Sequence, residues 1–325
     1  MARFSRAHGG FFTERDLAEQ RARWGEPVST TYRGVTIYET PPPTQGLSVL
    51  QMLNLIEPVD LARLDRLGPD AVHLLVQAKQ IAFHDRDQLH RRSRLLQGAG
   101  GAAALEGIRR RAPPLLDPHQ RCPGIACPRT AASRATRWRC ARWTPTATPP
   151  RSFTACTASM GAGVVAGRTG VVLQNRSAYF SLDPAHPNRL EPGKIPLHTL
   201  IASLAFKDEQ LWQVLGCMGA DGQPQIHLQA YTAMIDYGLD VQEAVAGPRW
   251  LAGRFALGDP RDLLNMEARF PAATLAELER RGHTVHRWPD WAERAGHAHG
   301  ITIDPATGAR IGGADPRSDG AAIGY

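Results

Sequence analysis

A chain of 325 residues, 42% hydrophobic and 21% charged, can bury one large core or two modest ones. Its formal charge of +7 is a local feature: residues 90–158 hold thirteen Arg against two acids (Glu106 and Asp117), the remainder is about −4, and no basic face suited to nucleic acid emerges. No apolar run approaches the roughly 18 residues of a membrane span and no apolar signal core opens the chain. A cytoplasmic protein without nucleic-acid or membrane partners is therefore expected.

The first predicted helix opens at Thr13, a capping residue followed by acids at Glu14 and Asp16, and runs to about Arg23. Thr31–Glu39 reads as one strand, broken by Pro41-Pro42-Pro43. Gln45-Gly46 then begins a helix carrying Leu47, Leu50, Met52, Leu53 and Leu55. Asp70–Asp87 is a second helix with Val72, Leu75, Val76, Ala78, Ala82 and Phe83 at helical spacing.

Residues 90–158 break this patterning. They contain eight Pro and four of the five Cys, but no Val, Tyr, Lys or Asn, and neither a helical nor a strand period. Cys122 and Cys127, with four residues between them, match no zinc spacing, and the odd total argues against a disulfide framework.

Patterned sequence resumes with Gly161–Asn175, which suits loops and a strand. Leu200–Phe206 and Leu211–Met218 are predicted strands joined by Lys207–Gln210. A helix over Gln225–Tyr237 ends at Gly238, and Asp240 caps another that stops at Gly247-Pro248. Asn265–Phe270 is a predicted strand, Pro271–Arg281 a helix ended by Gly282, and His283–Trp288, Gly300–Asp304 and Ala309–Gly313 are strands. Strand pairs with short turns mixed with helix pairs suggest antiparallel sheets covered by helices.

Several groups invite a chemical reading. Asp85 and Asp87 stand two apart on a helix and share no face, so a salt-bridged helix end is favoured over a metal site. His297 and His299 share one face of a strand, but without a third ligand they read as packing or surface histidines. The Gly-rich turn Gly216–Gly222, between a strand and a helix, is able to present two backbone N–H groups to an oxyanion, and reads equally well as a plain tight turn. The tail Gly312–Gly320 reads as a terminal turn. Neither a metal nor a cofactor is expected.

Six segments taken together resemble the gamma-glutamyltransferase (gamma-glutamyltranspeptidase) family, in the family's order: YRGVTIYETPPPTQG at 32–46, HLLVQAKQIAFHDRD at 73–87, TGVVLQNRSAYFSLDPAHPN at 169–188, PGKIPLHTL at 192–200, GCMGADGQPQ at 216–225 and GGADPRSDGAAIGY at 312–325. The resemblance covers about 1–89 and 159–325. It implies an α/β fold, the αββα four-layer sandwich of the N-terminal-nucleophile hydrolases, here incomplete. It also implies a precursor that cuts itself and frees an N-terminal Thr, whose own amine assists its attack on a gamma-glutamyl amide. On this reading 1–89 is the end of the large-subunit-like region, 159–325 is the small-subunit-like region, and 90–158 is an anomalous segment expected to be disordered, all within one incomplete domain. The chain is expected to begin inside the large subunit, without the Arg that clamps the substrate carboxylate.

The resemblance also assigns roles. Gly219 and Ala220 fall on the oxyanion pair. Arg176 and Tyr179 fall where Gln and Asp hold the glutamyl group, and His198 and Thr199 where a Ser pair binds its carboxylate. Tyr179 supplies no carboxylate for an α-amino group, which points to the divergent branch of the family that shades toward beta-lactam acylases. The nucleophile belongs near Thr136 or Arg137, but Pro145, Pro149 and Pro150 interrupt the strand it should open.

The genetic code offers an account of that anomaly. If each codon takes the last base of the one before it, Arg142-Trp143-Thr144 yields Val, Leu or Met followed by an obligatory Asp, and 134–147 as a whole permits the missing Gly-Asp-Thr strand. Much of 90–158 therefore reads as out-of-frame translation. The expected function is transfer or hydrolysis of the gamma-glutamyl group of glutathione-like small molecules to water, an amino acid or a peptide. The alternatives are a beta-lactam (cephalosporin) or other amide acylase, and a non-catalytic degenerate fragment; this chain is expected neither to self-cleave nor to turn over substrate.

Overall fold

A computed structural model describes residues 1–22, 24–89, 116–117, 119, 162–186, 188–253 and 262–324. Thr136 and nearly all of 90–158 lie outside them. The centre is a six-stranded sheet built from both flanks of that segment. Its strands are β1 (Val28–Tyr32), β2 (Val35–Glu39), β3 (Ser203–Lys207), β4 (Gln210–Met218), β8 (His297–Ile303) and β9 (Arg310–Ala314), paired antiparallel in that order. A second sheet of three strands joins β5 (Trp250–Ala252), antiparallel β6 (Leu263–Glu267) and parallel β7 (Thr284–Trp288).

The single strand expected over Thr31–Glu39 is a hairpin. Arg33 and Gly34 both adopt positive φ, 50° and 78°, the pattern of a type I′ turn whose twist matches the paired strands. The same device closes β3 to β4 through Asp208 and Glu209. The strand expected within Gly161–Asn175 reduces to one bridge, Val165 to Val172, because the doubled-back chain pairs with no sheet. The strand expected over Asn265–Phe270 lies earlier, at Leu263–Glu267, and Trp250–Ala252 was not anticipated as a strand.

Helix α1 (Ala2–Ala7) precedes α2 (Glu14–Glu19), which starts at Thr13 with a reciprocal Thr13–Asp16 capping box. All six residues of α2 are exposed, so nothing packs to carry it on to Arg23. Helix α3 (Gly46–Ile56) is buried on every side. It lies between the sheet and α4 (Pro69–Leu89), and its polar positions find partners, such as the 2.6 Å hydrogen bond from Thr30 Oγ1 to Asn54 Oδ1. Helices α5 (Gln223–Ile235) and α6 (Val241–Ala246) extend this layer, and α7 (Ala272–Arg280) packs on α4.

Val35, Ile37, Ala205 and Leu215 turn to the helices and join one core with Leu50, Leu53, Val76 and Tyr231. Alternate residues such as Tyr38 and Phe206 face the opposite way and meet edge to face. No described helix is long and apolar enough to cross a membrane.

The short helix α6 lies almost on the sheet because Gly300 and Gly313 face each other across β8 and β9. A Cβ at Gly300 would come within 2.6 Å of Val241 Cγ2, and one at Gly313 within 2.9 Å of the Val241 backbone. Replacing Gly313 by Val, where backbone sets the limit, is expected to cost about 1–3 kcal/mol of stability by overpacking. A urea midpoint equal to that of the parent protein would show that α6 is free to lift away.

Candidate functional site

The turn that leads from β4 to α5 is the focus of the site. Gly219 has φ 152°, and a Cβ there would come within 2.9 Å of Ile226 Cδ1, so this position suits glycine alone. Ala220 follows with φ 49°, a left-handed conformation that a non-glycine residue adopts only when its surroundings hold it. Two buried glutamines hold it: Gln45 Nε2 donates to Ala220 O at 3.2 Å, and Gln223 Nε2 to the same oxygen at 3.3 Å. Gly222 N–H donates to Gly219 O at 2.7 Å and closes the turn.

From this turn hydrogen bonds run in two directions. Gln223 Nε2 also donates to Thr199 O, and Thr199 Oγ1 accepts from Arg176 Nη1 at 3.4 Å. Thr199 is fully buried, and Arg176, on a short 3-10 turn over Arg176–Tyr179, is 7% exposed. On the other side, Gln45 Oε1 accepts from Arg86 Nη1 at 2.5 Å, and the same nitrogen reaches Asp221 Oδ1 at 3.0 Å.

The structure thus joins Arg176, Thr199 and Ala220 through one chain of hydrogen bonds. Tyr179 sits three residues after the buried Arg176 and is half-buried; its carbonyl accepts from Asn188 Nδ2 at 2.5 Å. His198 is also half-buried, with its N–H on Pro43 O at 3.0 Å, and so fastens the 198–200 segment to the proline loop before Gln45. Thr136 lies outside the described residues.

Asp85 and Asp87 take up hydrogen bonds and ion pairs: Gln51 Nε2 donates to Asp85 Oδ2 at 2.5 Å, and Arg86 pairs with Asp87 at 3.0 Å. His297 lies opposite Met218 in the sheet, beside the turn, and burial holds its pKa below the ordinary imidazole value. Among the described residues no cluster of three or more His, Cys, Asp or Glu is arranged to hold a metal.

Three features went unread in the sequence. Gln45 and Gln223 bracket the turn, but a polar residue in a Gly-rich motif gives no sign that it will be buried. Beneath the turn, Glu39 and His227 form a fully buried pair, Oε1 to Nδ1 at 2.7 Å, with Tyr231 edge-on to the imidazole. The tail does turn, with Ser318 N–H on Asp315 O at 3.2 Å, and it also carries an ionic cluster. Asp315 pairs with Arg249 at 2.7 Å and Arg317 at 2.9 Å, and Glu267 with Arg317 at 2.5 Å and Arg269 at 2.8 Å.

The model of the family described as gamma-glutamyltranspeptidase matches residues 1–95 and 152–325, which sets aside most of the arginine-rich span. The chain is 34% identical over 320 residues to the glutathione hydrolase-like YwrD proenzyme of Bacillus subtilis, covering 98% of this chain and 59% of that protein. It is 35% identical over 312 residues to the oxamate amidohydrolase proenzyme of Klebsiella pneumoniae, covering 95% of this chain and 57% of that one. Among solved structures, cephalosporin acylase from Bacillus halodurans superposes with a TM-score of 0.73 at 30% identity, over 100% of this chain and 58% of that one. The chain thus spans a little under three-fifths of these relatives' length. Its fold is the α/β sandwich that they share, of which the described residues supply a helical layer and a large antiparallel sheet. By the family model, which matches well over half of the chain, this protein belongs to the gamma-glutamyltranspeptidase family.

Proposed function

We infer that this chain carries the acyl-binding and oxyanion side of an amidohydrolase or acyltransferase whose substrate is a small amide with a carboxylate on its acyl half, a gamma-glutamyl amide being the family's example. The observation that carries this reading is the buried Arg176 guanidinium at Thr199, on the hydrogen-bond chain that ends at Ala220. A guanidinium matches a carboxylate with two parallel hydrogen bonds. The Gly219 and Ala220 N–H groups would meet the oxyanion of the tetrahedral intermediate. In the family reaction a Thr freed by self-cleavage attacks the amide, its amine taking the proton and passing it to the departing amine, and water or an amino acid receives the acyl group; this chain, whose sequence around Thr136 lacks the Gly-Asp-Thr strand, would bind without turning over.

A specific observation favours a second reading within this class. Neither Arg176 nor Tyr179 offers a negative charge to an α-ammonium, so the pocket suits a short diacid monoamide or a cephalosporin-type acyl chain as well as glutamyl. The similarity to an oxamate amidohydrolase and to a cephalosporin acylase supports this.

Binding tests both readings without requiring a nucleophile. Titration calorimetry with glutarate, L-glutamate and oxamate is expected to show binding that Arg176→Gln weakens about 10- to 100-fold, the worth of a charged hydrogen bond. Equal affinity in the variant would overturn the carboxylate reading. A preference for L-glutamate over glutarate of tenfold or more would overturn the second.

A further inference from the structure

We propose that Arg86 is a positioning residue for the Gly219-Ala220 turn, acting through Gln45. This rests on the reading of that turn as the oxyanion site.

Left-handed Ala220 stays in place only while its carbonyl is held, because a return to right-handed backbone would swing that oxygen away from Gln45 and Gln223. Holding the carbonyl therefore also sets the direction of the Ala220 N–H. Gln45 is able to donate to Ala220 O only with its NH2 group turned toward the turn. An amide side chain has two nearly isosteric orientations, and something must choose between them. Arg86 makes the choice. A guanidinium has donors alone, so the 2.5 Å contact from Arg86 Nη1 requires Gln45 Oε1 on that side and leaves the NH2 for Ala220.

Arg86 is itself anchored. It pairs with Asp87 at 3.0 Å, stacks 4.1 Å above the Phe83 ring, and reaches Asp221, the next residue of the turn, at 3.0 Å. It thus holds the turn twice, directly at Asp221 and through Gln45 at Ala220. Arg86 also stands on the last turn of α4, the element that leads into residues 90–158, so the position of that helix end is transmitted to the turn.

The test is amide hydrogen exchange read by mass spectrometry on the peptide 216–225, with 226–235 of α5 as the internal reference. Two variants of the full chain are compared with the parent. Arg86→Met removes the director; Gln45→Glu keeps volume and gives Arg86 a better partner, but puts acceptors against the Ala220 carbonyl. Both are expected to speed exchange in the turn 10- to 100-fold while α5 stays within twofold, and Gln45→Glu is expected to keep the parent's melting temperature. Exchange in the turn within twofold of the parent in Gln45→Glu would overturn the proposal, whether or not Arg86→Met folds. So would a parallel rise in α5, which would mark a purely structural role. Should no carboxylate bind the parent chain, the acyl-pocket reading fails while the exchange result still decides the role of Arg86.

Discussion

Arg317→Met is expected to lower the stability of this protein by about 3–5 kcal/mol, the usual cost of removing one partner from a buried ionic cluster. Arg317 and Glu267 make two hydrogen bonds of 2.5 Å, Nε to Oε1 and Nη2 to Oε2, a planar fork on a carboxylate with both side chains fully buried. Glu267 also receives the backbone N–H groups of Arg249 and Ala292, at 3.0 and 3.1 Å. Arg317 and Arg269 place further donors on the carbonyls of Val245, Ala246 and Gly247, at the C-terminal end of α6, where a helix favours positive charge. Without the guanidinium, the Glu267 and Asp315 carboxylates lose a shared counter-charge in a site with little water to replace it.

Arg317→Lys should recover little, since one ammonium cannot bridge two carboxylates in this geometry. Urea denaturation with an unchanged slope and a lowered midpoint is the expected reading; a loss below about 1 kcal/mol would mean that the cluster contributes no more than an exposed pair. The cluster has a pH signature as well. Burial pushes the Asp315 carboxyl up, but Arg249 and Arg317 outweigh it and leave its pKa below the ordinary value. A depressed carboxylate contributes stability at neutral pH that is lost in acid, as the pH falls below about 4 toward the folded pKa.

The second large effect lies at the opposite end of the pH scale. His227 is fully buried, which disfavours its charge, yet Glu39 at 2.7 Å overrides burial and raises the imidazole pKa to about 9. A group whose pKa rises on folding contributes stability that is complete below its unfolded value, near 6.5, and fades as the pH climbs to the folded one. The parent protein is therefore expected to lose stability, on the order of 3 kcal/mol, between about pH 6.5 and 9. Glu39→Gln keeps a hydrogen bond to Nδ1 but removes the charge that holds the proton, so its stability should be nearly level across that window. Urea midpoints at the two ends of the window, for parent and variant, decide the matter: parallel curves would show that His227 is neutral in the folded protein.

These effects mark where sequence reading stopped. The capping pairs Thr13–Asp16 and Asp240–Glu243 were legible because each is local, a side chain meeting a backbone N–H three residues on. Helix α4 was legible from its period, and the helix stops at Gly238 and Gly282 from residues that accept positive φ. The hairpin at Arg33-Gly34 was missed because its first turn residue is an arginine, which gives no warning of a left-handed backbone. The turn at Gly219-Ala220 was visible as a motif, whereas the two glutamines that hold it were not.

By itself, the sequence determined the long helices and most of the strands, the composition break at 90–158, and, through six ordered motifs, the family. Tertiary structure alone decided which polar residues would be buried and with whom. Glu39 meets His227 across 188 positions, Arg86 meets Asp221 across 135, and Arg317 meets Glu267 across 50. Local spacing encodes backbone periodicity and caps, because those interactions span a few residues; a buried charge is tolerable only beside a partner that the fold, and not the neighbouring sequence, brings within hydrogen-bond reach.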